Sequence, residues 1–371
     1  MQTGKSLWAV LAIGVLSIVG AGWGEGPYPV ARIRQLGTPT TDWGFGVAAD
    51  RLGNVYVTGY TQGSLGGPSA GEEDIFLSKY SAAGSLLWSR QFGSTSDEEA
   101  GYAVSADVLG NVFVAGYSCG SLGGPEVGSG GSFLGRYDAA GNLQWLRQFG
   151  GRSDESYSLC ADGLGNVYVS GMTYGSLGGP SAGENDAFLG KYDAGGNQLW
   201  VRQLGTWAHE RAYGVSTDGL GNVYIAGYTS GPLADPFAQD IDAFLGKYDT
   251  EGNLLWLRQF GPGGNETGLG VSADALGNVF VTGQTDGSLG GVDALVGPRW
   301  QGLGQAGVPT PWRSWSAARA GIRWVHLLRG SASGACAATA GPVQGRDRHG
   351  PRARPSRLQD QDRPRRQVDA T

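Results

Sequence analysis

The sequence predicts an all-β protein of the β-propeller class, built from four-stranded antiparallel blades. Three observations support this: a repeat of about 56 residues, four short apolar runs in each repeat, and turn-forming residues between the runs. With 68 glycines, 12 tryptophans and 15 tyrosines among 371 residues, the composition fits many tight turns around a packed core. We expect four complete repeats and a partial fifth, arranged as an incomplete or open ring, followed by a non-repeat C-terminal tail.

Two sequence landmarks recur with one period and so define the repeat. The first is Arg-Gln-(Phe/Leu)-Gly and the second is Asp-x-Leu-Gly-Asn-Val, and each returns after 55 to 57 residues. Because both landmarks keep the same phase, chance similarity is excluded. The first begins at Arg34, Arg90, Arg147, Arg202 and Arg258, and the second begins at Asp50, Asp107, Asp162, Asp218 and Asp274.

The second repeat shows how each unit divides into strands. Its apolar runs at 102–106, 112–117, 133–137 and 143–149 are rich in Val, Tyr, Phe and Trp, which fit a pleated sheet. The turns between them have the sequence Asp-x-x-Gly-Asn, in which aspartate bonds nearby amides and glycine adopts a left-handed conformation. Four antiparallel strands per unit form the blade of a propeller.

The predicted propeller region extends over residues 30–294. Small residues in the first strand of each unit place that strand innermost, where the blades crowd the axis. The tryptophans of the fourth strands are expected to pack between blades. Residues 30–37 match a fourth, outer strand that stands alone. The units are expected at about 43–93, 100–150, 156–205 and 212–261, with a partial unit at 268–294.

Two motifs of these units, Asp50 to Gly59 and Asp186 to Asp193, resemble the SBBP repeat, a bacterial seven-bladed β-propeller repeat. The resemblance covers about residues 30–294 and includes four full copies. It implies a propeller fold and an extracytoplasmic or cell-surface location. The family has no defined catalytic residues, so the resemblance implies fold and location rather than an activity.

Residues 1–21 have the pattern of a signal peptide. Lys5 supplies a positive charge before the apolar run Leu7–Val19, and Ala21 precedes the expected cleavage point. This run is short for a bilayer span, and the alternative interpretation is an uncleaved membrane anchor. We predict a secreted, periplasmic or cell-surface protein without a membrane span after cleavage.

The repeat stops at Ala294, and the composition changes at the same point. From Asp293 onward the chain contains 13 arginines against five aspartates, and no lysine, phenylalanine or tyrosine. Residues 295–371 have the composition of GC-rich DNA read in another frame, so we hypothesise a frameshift near codon 294. The alternative is a genuine, disordered basic tail. Truncation of the fifth unit would expose a sheet edge, and such edges invite aggregation.

An acidic residue stands eight positions before each turn aspartate, directly ahead of the innermost strand. On the long-loop face, these five acids would ring the mouth of the propeller axis. Their carboxylates would suit a cation such as Ca²⁺, or a cationic ligand; alternatively, each acid caps backbone donors at a blade junction. The five acids are Asp42, Glu99, Asp154, Glu210 and Glu266, and Asp74, Asp186, Asp242 and Asp293 begin third strands on the same face.

The sequence contains no catalytic constellation. His209 is the one histidine within the repeats, and it stands beside Glu210 without a nucleophile motif or a second histidine. The leading hypothesis is a non-catalytic binding or structural scaffold without a cofactor, whose partner is an extracellular protein or a glycan and not nucleic acid. The alternatives are a lyase or glycan-acting enzyme that uses the long-loop face, and a truncated product without function.

Overall fold

The described part of the chain consists of β-strands joined by turns and loops. A computed structural model describes residues 33–96, 98–122, 130–151, 153–235, 240–261, 263–286 and 322–325. These residues form four four-stranded antiparallel sheets and one three-stranded sheet, and they contain no helix. The predicted fold class, an all-β propeller with four-stranded blades, is confirmed.

Each four-stranded sheet is one blade, and its strands pair in chain order. In chain order, the strands are β1 (Asp42–Ala49), β2 (Val55–Thr61), β3 (Asp74–Tyr80), β4 (Leu86–Phe92), β5 (Glu99–Ala106), β6 (Val112–Ser118), β7 (Gly131–Tyr137), β8 (Leu143–Phe149), β9 (Glu155–Ala161), β10 (Val167–Thr173), β11 (Asp186–Tyr192), β12 (Gln198–Leu204), β13 (Glu210–Thr217), β14 (Val223–Thr229), β15 (Asp242–Tyr248), β16 (Leu254–Phe260), β17 (Glu266–Ala273), β18 (Val279–Thr285) and β19 (Ile322–Val325). Blade 1 consists of β1 to β4, blade 2 of β5 to β8, blade 3 of β9 to β12, and blade 4 of β13 to β16. Strands β17 to β19 form the fifth sheet.

The Asp-x-x-Gly-Asn turns have the geometry that their sequence predicts. In the first turn, Asp50 Oδ1 accepts the amide of Leu52 at 2.9 Å, and Asn54 Nδ2 donates to Asp50 Oδ2 at 2.7 Å. Gly53 has a φ of +77°, which glycine adopts at no steric cost. The same bonds recur at the corresponding turn of every later blade. Local sequence therefore determines these hairpins.

The innermost strand of every blade contains a β-bulge. In blade 1 the register of β1 on β2 shifts between Gly44 and Gly46, so that Phe45 has no partner residue. An extra residue of this kind bends the strand and redirects one side chain. The bulged residues of the five sheets are Phe45, Tyr102, Tyr157, Tyr213 and Leu269.

The apolar core lies between the blades. Between blades 1 and 2, Ile75 and Leu77 of β3 belong to one buried cluster with Val112, Val114 and Phe133 of blade 2. Equivalent clusters fill the next three seams between blades. Because burial of one such side chain stabilises by about 1.5–3 kcal/mol, each blade depends on its neighbour for stability.

Tryptophan and arginine of the fourth strands of blades 1 to 3 bind the hairpin turn of the next blade. Trp88 Nε1 donates to the carbonyl of Ala139 at 3.1 Å, and Arg90 Nε donates to the carbonyl of Gly141 at 2.7 Å. The same pair of bonds recurs in the next two seams. The fourth-strand tryptophans thus lie between blades, as their position in the repeat predicts.

The described blades form an open array and not a closed ring. Each innermost strand packs against the next, from β1 through β5, β9 and β13 to β17, and no comparable contact joins β17 back to β1 among the described strands. The third-strand position of the fifth sheet is taken by β19, which pairs with β18 in parallel. The predicted third strand beginning at Asp293 and the rest of the tail lie outside the described residues.

Residues 33–37, within the predicted lone outer strand, are irregular and pair with no strand. Arg34 Nε nevertheless donates to the carbonyl of Gly84 in the turn of blade 1, at 3.4 Å. This is the contact that Arg90 makes with the turn of blade 2, so Arg34 occupies the position of a fourth-strand arginine of a preceding blade. The predicted signal peptide, 1–21, lies outside the described residues, which contain no helix long and apolar enough to cross a membrane.

Candidate functional site

The acid at the start of each innermost strand, either its first residue or, for Asp154, the residue directly before it, links that strand to its neighbour. Four of the five acids are buried, and Asp42 is half-buried. Each accepts a hydrogen bond of 2.5–2.9 Å from a hydroxyl at the end of the second strand, 19 positions later. The hydroxyl donors are Thr61, Ser118, Thr173, Thr229 and Thr285.

Glu210 shows the complete arrangement. Thr206 donates its amide to Glu210 Oε2 at 2.8 Å and its hydroxyl to Oε1 at 2.7 Å. Thr229 donates its hydroxyl to Oε1 at 2.6 Å. The carboxylate therefore ties the loop before β13 to the end of β14. This arrangement matches the capping interpretation of the acids, and ligand binding by the five acids stays a prediction.

The glutamine of the Arg-Gln-(Phe/Leu)-Gly landmark fixes the loop between the second and third strands. Gln203 Oε1 accepts the amides of Leu177 at 3.0 Å and Gly178 at 3.2 Å. Its Nε2 donates to the carbonyl of Gly175 at 2.9 Å and to the Asp186 carboxylate at 2.5 Å. The Gly-Ser-Leu-Gly-Gly loops are thus clamped turns. Equivalent clamps are made by Gln91, Gln148 and Gln259.

The glycine that ends the same landmark leaves room for carboxylates at the seam. A Cβ atom on Gly93 would overlap Asp74 Oδ1 and would lie 2.5 Å from Glu99 Oε2. The two buried carboxylates, from blades 1 and 2, therefore face each other. Burial raises the pKa of Glu99 above its ordinary value, and the charge of Asp74 raises it further, although hydrogen bonds from Ser94 and Ser118 oppose the shift.

Glu266 accepts fewer hydrogen bonds from the described residues than Glu210 does. Its Oε2 atom is buried without a hydrogen-bond partner among the described residues. The residue four positions before Glu210 is Thr206, which donates twice, whereas the residue four positions before Glu266 is Pro262, which has no amide hydrogen. Burial and the charge of Asp242 raise the pKa of Glu266.

No metal centre is formed by the part of the chain that the structure describes. It contains no group of three or more His, Cys, Asp or Glu side chains able to hold a metal ion. The five acids belong to five different sheets, and each bonds within its own sheet and the loop before it.

The facing carboxylates of Asp74 and Glu99 predict that the stability of the fold depends on pH. Because the folded-state pKa of Glu99 is raised, the folded protein binds more protons, and Glu99 stabilises the fold below its ordinary pKa of 4.5. This stabilisation is lost as the pH rises through the folded-state pKa. In Glu99→Gln, we expect a smaller fall in the free energy of unfolding between pH 4.5 and pH 7, measured by urea denaturation.

The control for this measurement is Glu251→Gln, which changes an exposed glutamate in the blade 4 turn. Its pH profile should follow the parent protein. A Glu99→Gln profile that also superimposes on the parent would contradict the role of this seam.

The bulged residues of blades 1 to 4 form a continuous row of aromatic rings, which we call the inner row. It consists of Phe45, Tyr102, Tyr157 and Tyr213, all half-buried. The ring centroids of successive members are 5.3, 6.0 and 5.0 Å apart, with tilted or edge-to-face geometry. Because each ring comes from the innermost strand of a different blade, the row follows the inner edges of the blades.

Glu155 of blade 3 and Arg211 of blade 4, which carry opposite charges, lie beside the inner row. Arg211 Nη1 donates to the hydroxyl of Tyr157 at 3.4 Å, and its Nε is buried without a partner among the described residues. Burial raises the pKa of Glu155, and the charge of Arg211 and a bond from Tyr157 oppose this shift. Burial also raises the pKa values of Tyr102, Tyr157 and Tyr228, so these phenols stay neutral hydrogen-bonding groups.

Besides burial, the negative charges of three glutamates, from three successive blades, raise the pKa of Tyr102. The charges of Glu155, Glu98 and Glu73 add to burial in raising its pKa. Glu98 is exposed, whereas Glu73 is half-buried and accepts a bond of 3.3 Å from Gln62. Glu98 also raises the pKa values of Glu73 and Glu155, after burial as the largest cause in each case. We call these three glutamates the acidic flank of the inner row.

His209 does not belong to a catalytic arrangement among the described residues. Its side chain is exposed, and Nδ1 lies 2.6 Å from Oδ1 of Asn185. The neighbouring Glu210 has both oxygens bonded to threonines and is fully buried. The pair therefore offers no free base next to a nucleophile.

The inner row was not among the residues singled out from the sequence. The signal is present in four innermost strands as a small residue, an aromatic residue and a second small residue, for example Gly101-Tyr102-Ala103. Simple strand alternation places such an aromatic residue on the face of a sheet, and only the bulge turns it to the inner edge.

The blades, their clamped loops and their inner row define a β-propeller repeat protein. The SBBP family model, described as a beta-propeller repeat, matches residues 32–66, 144–178, 199–234 and 255–290. The chain thus contains four segments that match the SBBP repeat, in agreement with the resemblance of its motifs.

Two curated proteins share part of the sequence. Regulatory protein FlaEY of Caulobacter vibrioides is 33% identical over 172 residues, which are 42% of this chain and 18% of that protein. The uncharacterized WD repeat-containing protein L264 of Acanthamoeba polyphaga mimivirus is 27% identical over 113 residues, which are 27% of this chain and 8% of that protein. The chain thus matches less than a fifth of the length of either relative.

Solved structures with some similarity include the Pan2 WD40 domain of Neurospora crassa, with a TM-score of 0.30 and 10% identity over 62% of this chain and 68% of that one. A luciferin-regenerating enzyme has a TM-score of 0.34 and 16% identity, over 66% of this chain and 85% of that one. At these scores the similarity says nothing further about this chain.

Proposed function

We propose that this chain is a non-catalytic binding scaffold of the extracytoplasmic space, which presents the inner row to a partner. The observation that supports the proposal most directly is a contrast between two sets of side chains. The repeated acids and glutamines are bonded within their own blades and loops. The inner row instead lies half-buried along the blade edges, with charged side chains beside it.

Asymmetry among the repeats supports a binding role at this surface. At the position two residues before the bulge, the five innermost strands have Trp43, Ala100, Glu155, Arg211 and Thr267. A side chain required by the fold alone would recur at this position in every unit. The variation therefore favours recognition of a partner at this surface over a purely structural role.

The extracytoplasmic location is supported by the signal-peptide pattern of residues 1–21 and by the resemblance to SBBP repeats. The names of the two curated relatives, a regulatory protein and a WD repeat-containing protein, state no reaction. The extracytoplasmic location and the absence of a reaction in the relatives' names both agree with a scaffold that acts by binding a partner.

A test of the scaffold role uses the purified full chain on arrays of neutral and acidic glycans and of basic and acidic peptides. We expect retention of at least one probe class, with that probe unchanged in mass afterwards. The affinity should fall about tenfold or more in Tyr157→Ala, because alanine removes a central ring of the row.

The matched control is Leu255→Ala, which truncates a half-exposed leucine of the outer strand β16. It should bind as the parent does. Binding to no probe, equal binding by Tyr157→Ala and Leu255→Ala, or chemical conversion of a retained probe would each contradict a non-catalytic scaffold that uses the inner row.

A further inference from the structure

We propose that the inner row and its acidic flank form the docking surface for a basic polypeptide segment, whose lysine or arginine side chains lie over the tyrosine rings. This inference rests on the proposed binding function and names the class of partner. The steps that lead to it concern the rings, the charges beside them, and the charge of the repeat region.

The rings of the inner row are not occupied by cations of the described chain. Elsewhere the blades place a lysine or arginine over an aromatic ring, as Lys79 lies 5.1 Å from the ring centre of Tyr56 and Arg147 lies 5.6 Å from that of Trp145. Each cation–ring contact among the described residues uses a ring of a second or a fourth strand. The electron-rich faces of the row remain available to a cation from another chain.

The acidic flank gathers like charges around one of these rings. Glu98 directly precedes β5, the strand that contains Tyr102, and Glu155 begins β9 of the next blade. Glu73 directly precedes β3, so all three glutamates stand at the same end of their blades, and their charges act on Tyr102. Their mutual repulsion is relieved when a cation binds among them. An ammonium or guanidinium group over Tyr102 would be attracted both by the ring and by these carboxylates, which is the usual combination for recognising a basic side chain.

The charge of the whole repeat region favours the same partner. Residues 1–292 contain 28 acidic and 14 basic side chains. This excess of negative charge draws a basic polypeptide toward the surface and disfavours nucleic acid and acidic glycans. Arg211 extends from blade 4 to the hydroxyl of Tyr157 and repels a basic segment there, so the footprint is centred on Tyr102 and the acidic flank.

The experiment measures fluorescence anisotropy of a fluorescein-labelled peptide of alternating lysine and glycine, titrated with the full chain. We expect saturable binding that weakens as salt is raised, because exposed charge pairs are screened. Glu98→Gln, which changes an exposed side chain, should bind about fivefold more weakly, as expected for one exposed ion pair. Tyr102→Phe should bind nearly as the parent does, because the ring is kept, and Tyr102→Ala should bind more weakly than Glu98→Gln.

The matched control is Glu251→Gln, which removes the same charge in the blade 4 turn and should leave the affinity unchanged. Equal affinities of Glu98→Gln and Glu251→Gln would overturn the inference. So would preference for an unlabelled neutral glucan competitor or for a glutamate–glycine peptide, although either result would leave the proposed scaffold function standing. Absence of binding to all three probes would contradict both.

Discussion

Replacing Gln203 by leucine should lower the free energy of unfolding by about 3 kcal/mol. Leucine has a similar volume but makes none of the four hydrogen bonds that Gln203 makes to the amides of Leu177 and Gly178, the carbonyl of Gly175 and the Asp186 carboxylate. An unsatisfied buried polar group costs about 1–3 kcal/mol, and a charged group costs more. Asp186 is fully buried, and its Oδ1 already lacks a partner among the described residues.

Blade 2 supplies the matched control for this substitution. Gln148 bonds the amide of Leu122 and the carbonyl of Gly120, but its third strand begins with Gly131 in place of an aspartate. Gln148→Leu should therefore cost about 1.5 kcal/mol, because no carboxylate is left behind. Urea denaturation measures both variants. Equal losses would show that the carboxylate does not contribute, and losses near zero would contradict the clamp.

The fold follows from sequence because its determinants are local and repeated. The Asp50 turn and its equivalents determine hairpins through bonds between residues two to four positions apart. Trp88 and its equivalents recur once per unit, and such a period is typical of contacts between neighbouring blades. The five sheets could therefore be counted from two landmarks, while the parallel pairing of β19 could not, because nothing in the tail repeats.

The candidate acids were located by their recurrence, and recurrence alone left their role open. Glu210 is satisfied by Thr229, which comes 19 positions later in the next strand. A threonine or serine stands at that distance from every one of the five acids, so a paired pattern was present in the sequence. Without the strand register, however, nothing in the sequence places that hydroxyl opposite the carboxylate.

The inner row could not be predicted from alternation, because a bulge changes the direction of the side chain that it contains. The glycine opposite the bulge makes this possible. A Cβ atom on Gly171 would overlap the carbonyl oxygen of Glu155 and would lie 2.7 Å from a ring carbon of Phe188. The glycine of the (Val/Ile)-x-Gly motif in every second strand stands in the same relation to the backbone before the bulge. These glycines are Gly59, Gly116, Gly171, Gly227 and Gly283.

Gly171→Ala should therefore lower the free energy of unfolding by about 3 kcal/mol, because the added methyl group meets backbone that cannot move without breaking the pairing of β9 and β10. The control is Gly163→Ala, in an exposed turn of the same blade, where a Cβ would meet no atom within 4 Å. Urea denaturation compares the two variants, and equal stabilities would show that the bulge adapts freely.

The same substitution tests whether the bulge is needed to position the inner row for binding. Any fraction of Gly171→Ala that remains folded must displace Glu155, which carries the contacted carbonyl, and with it Tyr157, two residues later. It should then bind the probe of the scaffold test more weakly than its folded fraction predicts, whereas Gly163→Ala should bind as the parent does. Binding in proportion to the folded fraction would show that the glycine contributes to stability and not to binding. Weaker binding would mean that one glycine per blade serves both the packing of the sheet and the position of the ring at its edge.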